Sequence, residues 1–247
     1  MPIEWKELDL HNCESLYTEA LHLYDLSFPE EVRESHDLFR RSIALSSREN
    51  KYHFLVGLEN GKVISMATAH YFVKANFGYI VYLAAHPENR GAGLGKKTLL
   101  EMQRRLEMDA KESGYSLAAV VLETEKETLA HDEEEYKTNL KRLKFFEGLG
   151  FRIAEADYVQ PPLFHGQTPV PLYLQIKVLD KEARLNPKEI IDTMYEEKYK
   201  KIGENVFMEV KKFHGFKMQY FTYTILGVSV LCGCLFFYFV FRLIVVY

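Results

Sequence analysis

The chain has 247 residues, of which 47% are hydrophobic and 27% charged, and a formal net charge of −4. That length can bury one good core and leaves room for an appendage, so one domain with an extension is expected. A mild negative charge, with no basic face standing out in residues 1–177, excludes a nucleic-acid partner from expectation and points to small molecules or protein.

The opening residues Met1-Pro2-Ile3-Glu4-Trp5-Lys6 lack the basic, apolar and small-residue regions of an export leader, so none is expected. Ile3 to Asp9 alternates weakly and predicts a first strand. Glu14 to Asp25 repeats Leu16, Ala20 and Leu23 at helical spacing and is ended by Phe28-Pro29. Glu30 to Ser46, with Val32, Leu38 and Ile43, predicts a second helix, and the two together would cover a substrate cleft. His53 to Leu58 and Val63 to Phe72 are strand-like and joined through Asn60-Gly61, a pair whose tolerance of positive φ makes it a strong hairpin signal. A strand from Phe77 to Ala85 comes after the Ala75-Asn76 turn. Helix Lys97–Lys111, strand Leu117–Glu123, helix Tyr136–Leu149, strand Phe151–Tyr158 and strand Val170–Val178 come next. The fold class predicted is α/β, an α+β mixed sheet with helices on both faces.

After Val178 the composition changes. Asn186 can cap a helix with Pro187 at its first position and Glu189 three beyond the cap, and that helix is expected to reach about Lys201. Phe221 to Phe241 then carries no charge and no polar stripe, and a bilayer core needs roughly 20 such residues in a helix. A single transmembrane anchor is expected there. Lys200, Lys201, Lys211, Lys212 and Lys217 precede it and only Arg242 comes after, a bias that leaves the N-terminal domain in the cytoplasm. Residues 1–177 are thus expected as the domain, 178–219 as a charged helical linker and 220–247 as the anchor. Cys13 stands alone, Cys232 and Cys234 lie in the apolar run, and no disulfide framework can be drawn.

The most informative stretch runs from the apolar strand ending at Ala85, through His86-Pro87, to Arg90-Gly91-Ala92-Gly93-Leu94-Gly95-Lys96 and directly into a helix. Glycines there remove side chains that would block a ligand and let successive N–H groups turn toward an anion at a helix start. It is no Walker loop, because Lys96 stands where the second glycine of that motif belongs and is succeeded by Lys97. It is no dinucleotide fingerprint either, because a third glycine would be needed at position 96.

Arg90-x-x-Gly93-x-Gly95 resembles the pyrophosphate loop of the GNAT-type N-acetyltransferase superfamily. Leu83 to Gly91 looks like that superfamily's fourth strand and the loop to its coenzyme A site. Asn139-x-x-Arg142-x-x-Phe145-Phe146-x-x-x-Gly150-Phe151 is similar to its second motif, and the match covers roughly the first three quarters of the chain. The resemblance implies an acyl-CoA-binding fold in which Leu83 and Ala85 pair with the pantetheine arm. It places the diphosphate on the amides of Gly91, Gly93, Leu94, Gly95 and Lys96, with Arg90 adding charge and Asn139 bonding the arm.

Acyl transfer needs a deprotonated amine, a stabilised oxyanion and a proton for the leaving thiolate. Where many relatives carry a tyrosine acid, this chain has Phe146, which has no proton to give. The thiolate then leaves unaided, or Tyr136 or Tyr158 reaches the sulfur. Glu123 is the expected base and Glu125 the second choice. Glu30, Glu31 and Arg33 are candidates to line the acceptor pocket, though acids at a helix start are also explained by its dipole. His70 and His86 are more readily structural, and no His, Cys and Asp cluster has metal spacing. The expected activity is transfer of an acetyl group from acetyl-CoA to a primary amine of a small molecule or protein by direct attack. The competing expectation is a catalytically silent, membrane-tethered acyl-CoA sensor.

Overall fold

The computed structural model describes residues 2–10, 14–89, 93–163 and 167–201. Strand β1 (Glu4–Glu7) lies at a sheet edge against β2 (Asn50–Glu59), which turns back as β3 (Lys62–Phe72). Asn60 and Gly61 take φ of 52° and 76°, so the chain reverses in the two residues that tolerate it, as their sequence requires. Strand β4 (Phe77–Ala85) continues the antiparallel run, and β5 (Ala119–Glu125) pairs with it in parallel. Strand β8 (Val170–Val178) closes on β5, and the short β6 (Arg152–Ile153) and β7 (Tyr158–Gln160) both pair with β8. The sheet order is β1-β2-β3-β4-β5-β8-β6 with β7 also on β8, a mixed sheet as expected.

Helices cover both faces. On one, α1 (Glu14–Ser27) and α2 (His36–Ala44) pack Tyr24 and Phe39 against Phe54, Met66 and Tyr82. Farther along that face, α5 (Pro187–Glu197) sets Ile190, Met194 and Tyr195 on Phe72, Tyr79, Val121 and Tyr158. The opposite face carries α3 (Leu94–Glu112), whose Leu99, Met102 and Leu106 meet Ala67, Ile80 and Val120, and Phe146 of α4 (Glu133–Gly148) joins the same cluster. Each of these side chains removes apolar surface from water, roughly 1.5–3 kcal/mol for a large one before entropy is counted.

Several boundaries differ from expectation for identifiable reasons. Residues 30–46 form a 3-10 turn (Glu30–Val32) and then α2, not one helix. The backbone between is taken by tyrosine hydroxyls: the Glu34 N–H donates to the Tyr24 and Tyr82 hydroxyls at 2.6 and 3.1 Å, and the Tyr82 hydroxyl donates to the Val32 carbonyl at 2.9 Å. Helix α3 starts three residues early, at Leu94. Helix α4 starts at Glu133, where the Asp132 carboxylate accepts from the Glu135 N–H at 2.8 Å. Strand β5 runs two residues past Glu123. The expected strand 151–158 is broken between Ile153 and Tyr158, and Pro161-Pro162 ends its second half.

The Asn186 cap forms as expected, its side chain accepting from the Lys188 N–H at 3.0 Å. The helix ends at Glu197, short of Lys201, and a 3-10 turn covers Tyr199–Lys201. Of the segment 178–219 expected as a linker, this described part packs on the sheet. No helix among the described residues is long and apolar enough to cross a membrane. The expected anchor at 220–247 lies outside the described residues, as do Cys13, Arg90 and Gly91.

Candidate active site

Parallel pairing between β4 and β5 stops at Ile80↔Leu122, although β4 continues to Ala85 and β5 to Glu125. The cause lies in β4: Thr68 of β3 faces Tyr82 while Ala69 faces Ile80, so Val81 is an extra residue that bulges the strand and re-aims residues 82–85. Beyond the bulge the two strands part, and a groove opens between their ends. Phe28, Val81, Leu83, Glu123, Glu125, Arg142 and Phe146 line its inner part.

The groove continues past Leu83 and Ala85 to Gly93, Leu94, Gly95 and Lys96, with Lys141 and Phe145 of α4 as its far wall. Gly93 is the N-cap of α3 at φ 71°, and no side chain caps the helix there. The first-turn amides of Leu94, Gly95 and Lys96 have no intrahelical acceptor, the arrangement an anion takes. A Cβ built on Gly93 would meet nothing within 4 Å, and one on Gly95 only Phe145 Cζ at 3.6 Å, so the glycines border open space. Leu83, Ala85, Gly93, Leu94, Gly95 and Lys96 are therefore brought together on one groove, as the expected coenzyme site demands.

Asn139 does not line either part of the groove. It is buried on α4, and its Nδ2 has no hydrogen-bond partner among the described residues. The Arg142 guanidinium, one turn on, donates to the Glu125 carboxylate, so Glu125 is engaged in an ion pair. Phe146 lines both parts of the groove and packs edge-on to Phe145 and Phe151.

The base candidate has an unexpected setting. Three phenols converge on one oxygen of Glu123: the hydroxyl of Tyr79 donates to Oε1 at 2.6 Å, that of Tyr199 at 3.0 Å, and that of Tyr158 closer still. The Tyr79 and Tyr199 hydroxyl oxygens also lie 3.0 Å apart; each carries one proton, so when both donate to Glu123 this is a close contact and not a further hydrogen bond. All three donors meet Oε1, and Glu123 lines the groove. Nearby, the Lys198 ammonium pairs with Glu34 Oε1 at 2.5 Å and stands 4.0 Å from the Tyr199 ring centre and 5.5 Å from that of Tyr79. Both members of the pair are 5% exposed.

These contacts oppose burial. Withdrawal from water pushes the Glu123 carboxyl above its ordinary range, and the Lys198 charge with the three phenol hydrogen bonds pulls it back. Burial, and then the Glu123 charge, hold the hydroxyls of Tyr79, Tyr158 and Tyr199 well above theirs, so all three stay protonated donors. Tyr158 is fully buried behind Glu123 and its proton is directed at that carboxylate.

The remaining candidates stand apart. Tyr136 is exposed on the first turns of α4 and does not line the groove. His70 stacks on the Phe72 ring and meets the Tyr52 ring at a tilt, with Nδ1 2.9 Å from Asn50 Oδ1, a structural setting, and His86 lies outside the groove lining. Glu30 is exposed and Arg33 pairs with Asp25 at 2.9 Å, so Phe28 and Val32 form that wall instead. Sequence reasoning missed Tyr79, Tyr199 and Lys198, because nothing local marks a strand tyrosine or a helix-end Lys-Tyr pair as facing a carboxylate.

Residues 15–132 match the sequence profile of the Acetyltransferase (GNAT) family. No curated protein matches the sequence. Among solved structures, an acetyltransferase of the GNAT family from Bacteroides thetaiotaomicron is 23% identical, with a TM-score of 0.60 over 78% of this chain and 96% of its own. An aminoglycoside 6'-N-acetyltransferase complexed with coenzyme A is 17% identical, with a TM-score of 0.50 over 74% and 99%. The PaiA N-acetyltransferase from Thermoplasma acidophilum, also in complex with coenzyme A, is 18% identical, with a TM-score of 0.49 over 72% and 100%.

Proposed function

We propose that this chain, whose residues 15–132 carry an acetyltransferase (GNAT) family domain, is an N-acetyltransferase that moves an acetyl group from acetyl-CoA to a primary amine. The single observation that carries the reading is the continuity of the groove. It runs from the open helix start at Gly93–Lys96, along the end of β4 that β5 leaves unpaired, to Glu123, the two parts sharing Phe28, Leu83, Arg142 and Phe146 as lining. Coenzyme phosphates fit the first, a pantetheine arm the second, and a protonated amine the third.

In this scheme the Glu123 carboxylate takes the proton of the arriving ammonium. The amine nitrogen bonds to the thioester carbonyl carbon, the C–S bond breaks, the thiolate departs with the electron pair, and the nitrogen gives up its second proton to solvent as the amide forms. Phe146 supplies no proton, and Tyr158 is committed to Glu123, so the thiolate leaves unaided and is protonated from solvent. A thiol is acidic enough to permit this. Tyr158 then acts through Glu123 and not on the sulfur. Arg142 neutralises Glu125, which leaves Glu123 as the carboxylate available to a cationic amine.

The test is thiol release from acetyl-CoA across a panel of primary amines, compared with Glu123→Gln. Loss of a general base lowers kcat by about 100-fold or more, while coenzyme affinity by calorimetry stays unchanged. Equal turnover by the variant would refute the role, and absence of thiol release by the native chain with every amine would favour a silent acyl-CoA sensor. We also propose, from the apolar run 221–241 and its flanking lysines, that the chain is held at a membrane with the acetyltransferase domain on the cytoplasmic side. Recovery of the full chain in the supernatant after membranes are pelleted would contradict it.

A further inference from the structure

Two of the groups around Glu123 come from chain far beyond residues 15–132. Tyr199 and Lys198 stand at the end of α5, and Tyr199 reaches the carboxylate across 76 residues of sequence. We propose that residues 187–201 are a working part of the active site, a strap that brings the Tyr199 hydroxyl to Glu123 and the Lys198 charge near it as positioning residues and holds the carboxylate at the groove. This rests on the acetyl-transfer reading for its purpose, but its geometry stands without it.

The strap is pinned at three places. Asn50 Nδ2 of β2 donates to the Glu197 carbonyl at 3.0 Å, the Tyr195 hydroxyl donates to the Val159 carbonyl of β7 at 2.5 Å, and Lys198 pairs with Glu34 between α1 and α2. Ile190 and Met194 seat it on the sheet. A helix needed only for stability would do better over an apolar floor, since a buried carboxylate and ammonium cost solvation that packing alone never requires. Here the strap lies over an apolar floor with one buried carboxylate at its end, and it supplies a hydroxyl to Glu123 and a cation paired with Glu34 beside it. Perturbed acid groups at a groove with dedicated partners mark functional positions.

The charged and titratable groups facing Glu123 are Tyr79 of β4, Tyr158 of β7, and Tyr195, Lys198 and Tyr199 of the strap, with Glu34 behind Lys198 and the Glu125–Arg142 pair beside it on the groove. Removing the Tyr199 hydroxyl deletes one of three donors to Oε1. The carboxyl should then hold its proton to higher pH, by on the order of one pH unit.

The experiment uses the full chain, its Tyr199→Phe variant, and the Lys198→Met/Glu34→Gln double variant, which removes the cation without stranding its partner. Three quantities are read: the acid limb of kcat/KM, the titration of the Glu123 carboxyl by 13C NMR with Glu123→Gln assigning the signal, and coenzyme A affinity. Expected is an upward move of limb and carboxyl titration together, by about one pH unit in Tyr199→Phe and in the same direction in the double variant, with coenzyme affinity unchanged. A merely structural strap would lower stability and leave both pH readouts in place, and that result overturns the proposal while native turnover keeps the transferase reading. Native protein without turnover, but with a carboxyl titration that moves in Tyr199→Phe, upholds the positioning role and removes the acetyl-transfer reading alone.

Discussion

Raising the pH from 6 to 9.5 should cost the fold about 3 kcal/mol through one histidine. His53 of β2 is wedged between two carboxylates, with Nε2 2.5 Å from Asp109 Oδ2 and Nδ1 3.2 Å from Glu7 Oε1, and its side chain is 16% exposed. Burial disfavours the charged ring, yet the hydrogen bonds and charges of Asp109 and Glu7 outweigh it, and the pKa is raised from 6.5 to about 9. A raised histidine pKa stabilises fully below the unfolded value and ceases to do so as pH climbs through the folded one. Between pH 6.5 and 9 the contribution therefore falls away, and two and a half units at 1.36 kcal/mol each give about 3 kcal/mol. Asp109 shifts the other way: burial raises it, but His53 and Lys51 lower it on balance, so its share is lost only in acid. Urea denaturation monitored by circular dichroism should show a midpoint lower by about 1–2 M at pH 9.5 than at pH 6, for a slope of about 2 kcal/mol/M. His53→Gln should flatten that dependence. A native midpoint that does not move between the two pH values, or a His53→Gln chain that keeps the full slope, would refute the reasoning.

Glycine geometry gives two further outcomes. Gly93→Val should weaken coenzyme A binding at least about tenfold, because a branched side chain disfavours φ 71° and enters the groove; unchanged affinity by calorimetry would remove the phosphate site from that helix start. Gly78→Ala should destabilise by about 1–3 kcal/mol, since its Cβ would lie 2.4 Å from Leu106 Cδ1 in the core, and a thermal midpoint equal to the native one would show that α3 shifts freely.

What could be read from the sequence was local. The Asn60-Gly61 reversal and the Asn186-Pro187 helix start are each decided by a few neighbouring residues and appear where expected, while Gly93 caps α3 three residues before its expected start. The failures are long-range. Helix 30–46 is interrupted because hydroxyls of Tyr24 and Tyr82 take over its backbone groups, and Tyr82 is 48 residues from Glu34. Glu123 was legible as a carboxylate at the end of the strand beside β4. Its three phenol partners lie 35, 44 and 76 residues away, and no periodicity reports which aromatic side chains meet across a sheet. Asn139, named through resemblance, is buried on α4 and lines neither part of this groove.

The short parallel pairing of β4 with β5 has a mechanical side. Among the described residues it is the one parallel seam in the sheet, from Phe77↔Ala119 to Ile80↔Leu122, and it joins β1–β4 to the group of β5, β8, β6 and β7 at one end only. The two halves are thus built like the jaws of a peg, with the pivot at Phe77 and the mouth at Ala85 and Glu125. Tyr199, bonded to Glu123 on one jaw and 3.0 Å from the Tyr79 hydroxyl on the other, ties the two together beside the pivot.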